Sequence, residues 1–416
     1  MTPAEFWRNI APMKRLTAYT ILCAALLLAG LAPAGRSLAQ GPDATATPDL
    51  RPTLPPTWTL TPTRPPTQTP RPIPTQPPTP IPSPTPTLSW LPTVQPPPPA
   101  VTLPGMTLIW QQYNGCAAAA LTMLLKYHGW QGTLDMTSRG IKPDDADVSV
   151  RGIEMVSFVE AQGLRAVVRS GGTLEILRGL VAAGLPVLVE NAYNPGGNDW
   201  MGHNRVIMGY DDRAGVVLTF DSVLGAGSEG TGRPIPYAEF EALWKPFNHT
   251  YLVIFRPDQE RTVQAILGPH WNATTSAELA LARAEAAIRQ DPQDAYAAFN
   301  LGTALLTLGW AETAVLAFER ALDLGLPWRY LWYQFGPFEA YLQTGRYEQV
   351  LALGEDVLRT TRNVEEVYYF MGQAYAALGQ PRRAAANYQQ ALAHNRHFVE
   401  AELALERLAS AVAMQQ

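Results

Sequence analysis

Cysteine is close to absent: the 416-residue chain has two, Cys23 and Cys116. A disulfide-stapled fold is excluded, because such frameworks need several paired cysteines. Long basic runs are also missing, with 31 Lys and Arg against 36 Asp and Glu for a formal charge of -5. Phosphate neutralisation needs clustered Lys and Arg, so no nucleic acid is expected as a partner. Besides His203, the histidines at 128, 249, 270, 394 and 397 show no ligand spacing with carboxylates or thiols. The glycines at 171–172 and 225–232 lack the Lys or dinucleotide context of a phosphate loop. No metal and no cofactor are expected.

Long apolar runs are confined to residues 16–31. Arg8, Lys14 and Arg15 precede this run, and Ser37-Leu38-Ala39 follows it as a small-x-small pattern suited to cleavage before Gln40. Residues 1–39 therefore predict a signal peptide, with an uncleaved transmembrane anchor as the alternative. Either places the remainder outside the cytoplasm, extracellular or at the cell surface, touching the membrane only through this segment. Leu22 stands where a lipoprotein signal wants a small residue, which argues against lipidation of Cys23. Cys116 is then a lone thiol in an oxidising compartment, where it is either functional or a small buried apolar side chain.

Proline is unevenly spread. Residues 41–103 hold 22 of the 38 prolines together with 15 threonines. Proline fixes φ and removes a backbone donor, so residues 40–103 are expected as a disordered linker populating polyproline II.

Residues 104–258 read as one α+β domain. The pattern at 116–128 (CAAAALTMLLKYH) is helical and closed by Gly129; 148–162 is a second helix closed by Gly163. A strand is expected at 164–170, a helix around 173–183 and a strand at 186–192. Residues 204–210 and 216–220 predict a hairpin across 211–215. A short helix at 237–244 and a strand at 251–255 complete the domain.

From residue 272 to 412 the chain turns to Ala, Leu, Gln and Glu, and repeats itself. Leu301-Gly302, Leu305, Gly309, Ala314, Phe318 and Ala321 recur 70 residues later as Met371-Gly372, Tyr375, Gly379, Ala384, Tyr388 and Ala391. A degenerate copy with Tyr341, Gly345, Val350 and Val357 lies between them. Ala284, Ala287, Asp291 and Pro292 mark a leading partial repeat, and 398–410 a capping helix. The spacing resembles tetratricopeptide repeats, whose unit is about 34 residues.

The chemistry gathers around Gln111-Gln112-Tyr113-Asn114-Gly115-Cys116. Cys116 falls in the first turn of a predicted helix, where free N–H groups and the macrodipole lower a thiol pKa. Gln111 is placed to aim its amide at the carbonyl a thiolate attacks, forming an oxyanion hole with the Cys116 N–H; Gln112 is the alternative donor. His203 stands just before an apolar strand. Asp221 ends the next strand, which would bring a carboxylate beside the imidazole. A lone structural histidine and a turn-capping aspartate are the plainer alternatives.

This stretch resembles the C39-like cysteine peptidases. Gln111, Tyr113 and Asn114 stand ahead of Cys116, and a helix ends near Gly129-Trp130. Lys142-Pro143-Asp144-Asp145 and Gly184-Leu185-Pro186-Val187 follow, and Gly202-His203 leads to Gly209-Tyr210-Asp211. The resemblance implies a papain-like α+β fold with Cys116 as nucleophile, His203 as general base, Asp221 as orienter and Gln111 as oxyanion donor. Ala117-Ala118 replaces the family's usual Gly-Pro, and Ser222 stands where Pro is frequent. A multidomain protein is expected: a papain-like α+β domain, then an all-α tetratricopeptide superhelix, after a disordered Pro/Thr-rich linker. Its expected function is an exported cysteine peptidase or thiol amide hydrolase. It would take a peptide or protein substrate and hold a protein partner through the repeats. The alternatives are a catalytically inactive scaffold whose repeats mediate protein interaction, and acyl transfer by the same thiol.

Overall fold

The computed structural model describes residues 95–194 and 199–413. The expected signal or anchor, and the Pro/Thr-rich stretch up to residue 94, lie outside these residues. Among the described residues no helix is long and apolar enough to cross a membrane.

A seven-stranded antiparallel sheet organises the first half: β1 (Ala100–Thr102), β2 (Arg165–Arg169), β3 (Val187–Tyr193), β4 (Met201–Asp211), β5 (Val216–Asp221), β6 (Arg233–Pro236) and β7 (Tyr251–Phe255). The order is β2-β7-β3-β4-β5-β6, with β1 on the far end of β4. Helices α1 (Cys116–Tyr127), α2 (Leu134–Ile141), α3 (Gly152–Ala161), α4 (Leu174–Ala182) and α5 (Tyr237–Trp244) belong to the same domain. Successive strand side chains point to opposite faces. On β3, Leu188 therefore packs with Leu121 and Leu124 of α1, Val206 and Ile254. Its neighbours Val187 and Val189 join Leu177, Leu180 and Phe240 on the other side.

The structure departs from the sequence expectations at several places. The second helix begins at Gly152, not 148, because the preceding residues are used elsewhere. Val148 N–H donates to the Asn363 carbonyl at 3.1 Å, and Ser149 N–H to Asp147 Oδ1 at 3.0 Å. Glu154 then caps the helix by accepting from Arg151 N–H at 2.8 Å. The end of the expected linker is part of the fold. Proline carbonyls still accept, and those of Pro98 and Pro99 take the Tyr210 hydroxyl and the Asp212 N–H before β1 pairs with β4. The Gly-rich residues 225–232 form a turn into β6, in which Gly225 and Asp221 exchange both backbone hydrogen bonds. Helix α2 was not foreseen, nor was α6 (Glu260–Leu267), whose Val263 and Leu267 bury against α4 and β7 in the sheet domain's core.

The second half is an array of helices: α7 (Ala273–Gln290), then the pairs α8 (Ala295–Thr307) with α9 (Ala311–Leu324), α10 (Gly336–Gln343) with α11 (Tyr347–Leu358), and α12 (Glu365–Ala377) with α13 (Pro381–His394), closed by α14 (Val399–Ala413). Small residues allow each close crossing. A Cβ on Gly302 would lie 2.7 Å from the Phe318 ring, and one on Gly372 2.5 Å from Tyr388. The middle pair is irregular, since α10 has only eight residues and is preceded by a long connection, 325–335, with a 3-10 turn at Tyr330–Trp332.

Array and sheet domain pack as one unit. Trp200 stacks on Phe247 and meets Tyr330 and Tyr333 of the 325–335 connection. The Tyr330 hydroxyl donates to the Pro246 carbonyl, Asn300 of α8 to the Lys245 carbonyl, and Arg283 of α7 to Glu241. Arg151 reaches Glu366 of α12.

Candidate active site

Cys116 is the first residue of α1, so its sulfur sits among first-turn N–H groups that have no intrahelical partner. The approach is a tight turn in which Gly115 N–H donates to the Gln112 carbonyl at 3.0 Å. Asn114 takes φ +50°, a left-handed conformation that asparagine tolerates better than most side chains. A Cβ on Gly115 would stand 3.1 Å from the Gln112 carbonyl oxygen.

His203 lies inside β4 and is 3% exposed; the sequence had put it just ahead of the strand. Asp221 is the register partner of Arg205, so its carboxylate reaches both side chains. Oδ1 lies 3.0 Å from His203 Nε2, and Oδ2 accepts from Arg205 Nε at 2.6 Å. The N–H groups of Val223 and Leu224 also donate to Oδ1, at 2.8 and 2.9 Å. With Nε2 on Asp221, Nδ1 is the ring nitrogen left for Cys116, which lines the same cleft as the imidazole. Tyr193 covers the ring at 5.1 Å between centroids.

The charges follow from this geometry. Burial alone would push the Cys116 thiol up. The His203 hydrogen bond and charge, then the Asn204 N–H and side-chain amide, outweigh it and hold the thiol at about 7. Burial would pull His203 down, but hydrogen bonds from Asp221 and Cys116 and the charges of both lift it to about 9. Asp221 loses by burial yet is held well below the usual carboxylate range by His203 and Arg205.

Gln111 is bound to the site by a residue the sequence reading treated only as a departure. Ser222 Oγ donates to Gln111 Oε1 at 2.8 Å, and Gln111 N–H donates to the Ser222 carbonyl at 3.1 Å. The amide oxygen is thus occupied, the amide nitrogen remains as the donor, and Gln111 and Cys116 line the same cleft. Asn204 was missed altogether, although its Nδ2 lies 3.7 Å from the Cys116 sulfur. Only its position next to His203 could have signalled it.

The cleft over the sulfur has a volume of about 270 Å³. The sheet domain supplies Gln111, Cys116, Glu190, His203 and Asn204 to its lining. Besides further sheet-domain residues, Arg329, Trp332, Tyr333, Thr361 and Asn363 of the helical array also line it. Nothing in the repeat pattern foretold this, because those residues lie in connections between repeat helices.

Residues 105–252 match the Peptidase_C39 like family, and residues 295–324 and 365–396 match the tetratricopeptide repeat. The chain thus carries a C39-like peptidase domain followed by tetratricopeptide repeats; the irregular α10–α11 pair falls between the two matched repeats. One similar solved structure is a putative C39-like peptidase from Bacillus anthracis (17% identity, 38% of this chain and 98% of that one, TM-score 0.30). Another is a double glycine motif protease from an AMS/PCAT transporter in complex with the leader peptide (18%, 37% and 94%, 0.28). A third is MamA 41-end from Desulfovibrio magneticus RS-1 (22%, 33% and 77%, 0.31). A search of curated proteins finds no match.

Proposed function

We propose that the C39-like domain is a working cysteine peptidase or related thiol amide hydrolase. Cys116 is the nucleophile, His203 the proton carrier, Asp221 the orienting acid and Gln111 an oxyanion donor. The observation that carries this is geometric: Cys116 begins α1 and shares one cleft with His203, whose Nε2 lies 3.0 Å from Asp221 Oδ1, surroundings that hold the thiol at about 7 and the imidazole at about 9. Between those values the proton rests on the ring and the sulfur is a thiolate; the two titrations belong to the pair. The thiolate attacks the scissile carbonyl carbon, and the developing oxyanion faces the Cys116 N–H and the Gln111 amide. His203 gives its proton to the leaving amine. It then takes one from the water that releases the acyl group.

The same reading extends to the rest of the chain. The repeats take the C39-like domain of their own chain as a protein partner and wall its cleft. The basic lead-in, apolar run and small-x-small site support an exported protein held off the cell surface by the Pro/Thr-rich stretch.

Site-resolved alkylation with iodoacetamide, run beside hydrolysis of a peptide library, tests the enzymatic reading. Labelling of Cys116 at neutral pH with accompanying hydrolysis, both abolished in His203→Ala, is the expected result. An unlabelled Cys116 under reducing conditions, with no peptide cleaved, leaves the inactive scaffold as the account.

A further inference from the structure

Glu190 is a carboxyl side chain in the cleft that the triad chemistry does not use. It sits on β3 opposite Asn204 of β4, and directly opposed residues of antiparallel strands share a face with Cβ atoms about 5 Å apart. Both line the cleft that holds Cys116. Two cationic side chains share the lining, and each has a partner other than Glu190. Lys142 Nζ donates to the Asp145 carbonyl at 2.6 Å, and Arg329 pairs with Asp199 at 2.7 Å. Among the described residues no basic side chain forms an ion pair with Glu190. Asn204 gives its Nδ2 to the sulfur, while its Oδ1 is buried with no hydrogen-bond partner. Two side chains with acceptor oxygens therefore stand opposite each other in the cleft of the nucleophile, and the Asn204 oxygen is without a donor.

We propose that Glu190 and Asn204 Oδ1 together bind a protonated amine of the peptide substrate, close to the scissile bond. An ammonium brings three N–H donors and a positive charge. The two Glu190 oxygens and the amide oxygen supply three acceptors and one negative charge. The cleft restricts where that amine lies on the substrate. Glu190, Asn204 and Cys116 line one cleft of about 270 Å³ that Tyr333 of the array also walls, so only a short stretch of peptide separates the amine from the attacked carbonyl. Burial first, and then the charge of Cys116, push the Glu190 carboxyl up to about 8. An incoming ammonium opposes both effects and favours the carboxylate.

The amine has two sources, a free α-amino terminus or a lysine side chain. The inference rests on reading the cleft as a peptide site, and binding rather than turnover tests it. The full chain carrying Cys116→Ala is titrated calorimetrically at pH 7 with peptide twins, one pair with free and acetylated N-termini and one with lysine and norleucine at the same position. At least one amine-bearing peptide binds about tenfold or more tightly than its neutral twin, and adding Glu190→Gln brings that ratio close to one. The pair that shows the preference identifies the source. Twins that bind equally, peptides that do not bind at all, or a ratio unmoved by Glu190→Gln overturn the proposal. A protein that keeps the Glu190-dependent ratio yet hydrolyses nothing defeats the peptidase reading instead.

Discussion

The Ser222 hydroxyl donates to Oε1 of Gln111 at 2.8 Å, which holds the oxygen end of that amide and leaves its nitrogen as the free donor. Removing the donor itself, Gln111→Ala, is expected to lower kcat by about 10²–10³, the usual cost of one oxyanion-hole group. Ser222→Ala leaves the amide in place but unoriented. Its loss should be nearer tenfold, corresponding to one hydrogen bond of about 1–1.5 kcal/mol. Steady-state kinetics on one peptide substrate checks both; equal losses would contradict an orienting role for Ser222.

The pH profile follows from the pair. Below about 7 Cys116 regains its proton and attack is lost; above about 9 His203 loses the proton it gives to the leaving amine. Hydrolysis should therefore be bell-shaped with limbs near those values. Asp221→Asn removes the carboxylate that lifts His203, so the alkaline limb should move to lower pH and kcat fall by about 10²–10⁴. An alkaline limb that stays in place would show that Asp221 does not set the imidazole's affinity.

Tyr333 belongs to the array yet lines the cleft of the sheet domain. Tyr333→Ala should widen the site and raise kcat/KM for peptides with a bulky residue beside the scissile bond relative to small ones, by roughly tenfold, or about 1.4 kcal/mol. Competition between paired peptides in one reaction reads this ratio directly. An unchanged ratio would mean that the array does not shape the substrate site.

Close helix crossings make the array's glycines intolerant. Gly302→Ala places a methyl group against the buried Phe318 ring, and Gly372→Ala places one against Tyr388. Each should destabilise the protein by about 1–3 kcal/mol, seen as a lower denaturation midpoint. Gly345→Ala, whose Cβ meets nothing within 4 Å but whose φ is +72°, should cost about 1 kcal/mol through the backbone alone.

Much of this was legible in the sequence, for identifiable reasons. The hairpin of β4 and β5 follows from two apolar runs and a turn, but the register shift between Ile207 and Gly209, which no local pattern announces, pairs Asp221 with Arg205 and so puts its carboxylate on the His203 side. The repeats follow from small residues at fixed spacing, since Gly302 and Gly372 each face an aromatic ring. Tertiary hydrogen bonding overrode local pattern elsewhere. Val148 was expected in a helix but donates its N–H to Asn363 of the array. Pro98 and Pro99 read as linker but contribute carbonyls to the sheet domain. The Gln111–Ser222 bond and the array's share of the cleft join residues 111 or more positions apart. No local pattern encodes them.

The thiolate fraction of Cys116 as a function of pH, read by site-resolved alkylation rates in the wild type and in His203→Ala, probes the central claim most directly. The account predicts a wild-type midpoint near 7 that rises by a unit or more in the variant, as burial is left unopposed. A wild-type midpoint in the ordinary thiol range, or one that His203→Ala does not move, would contradict it.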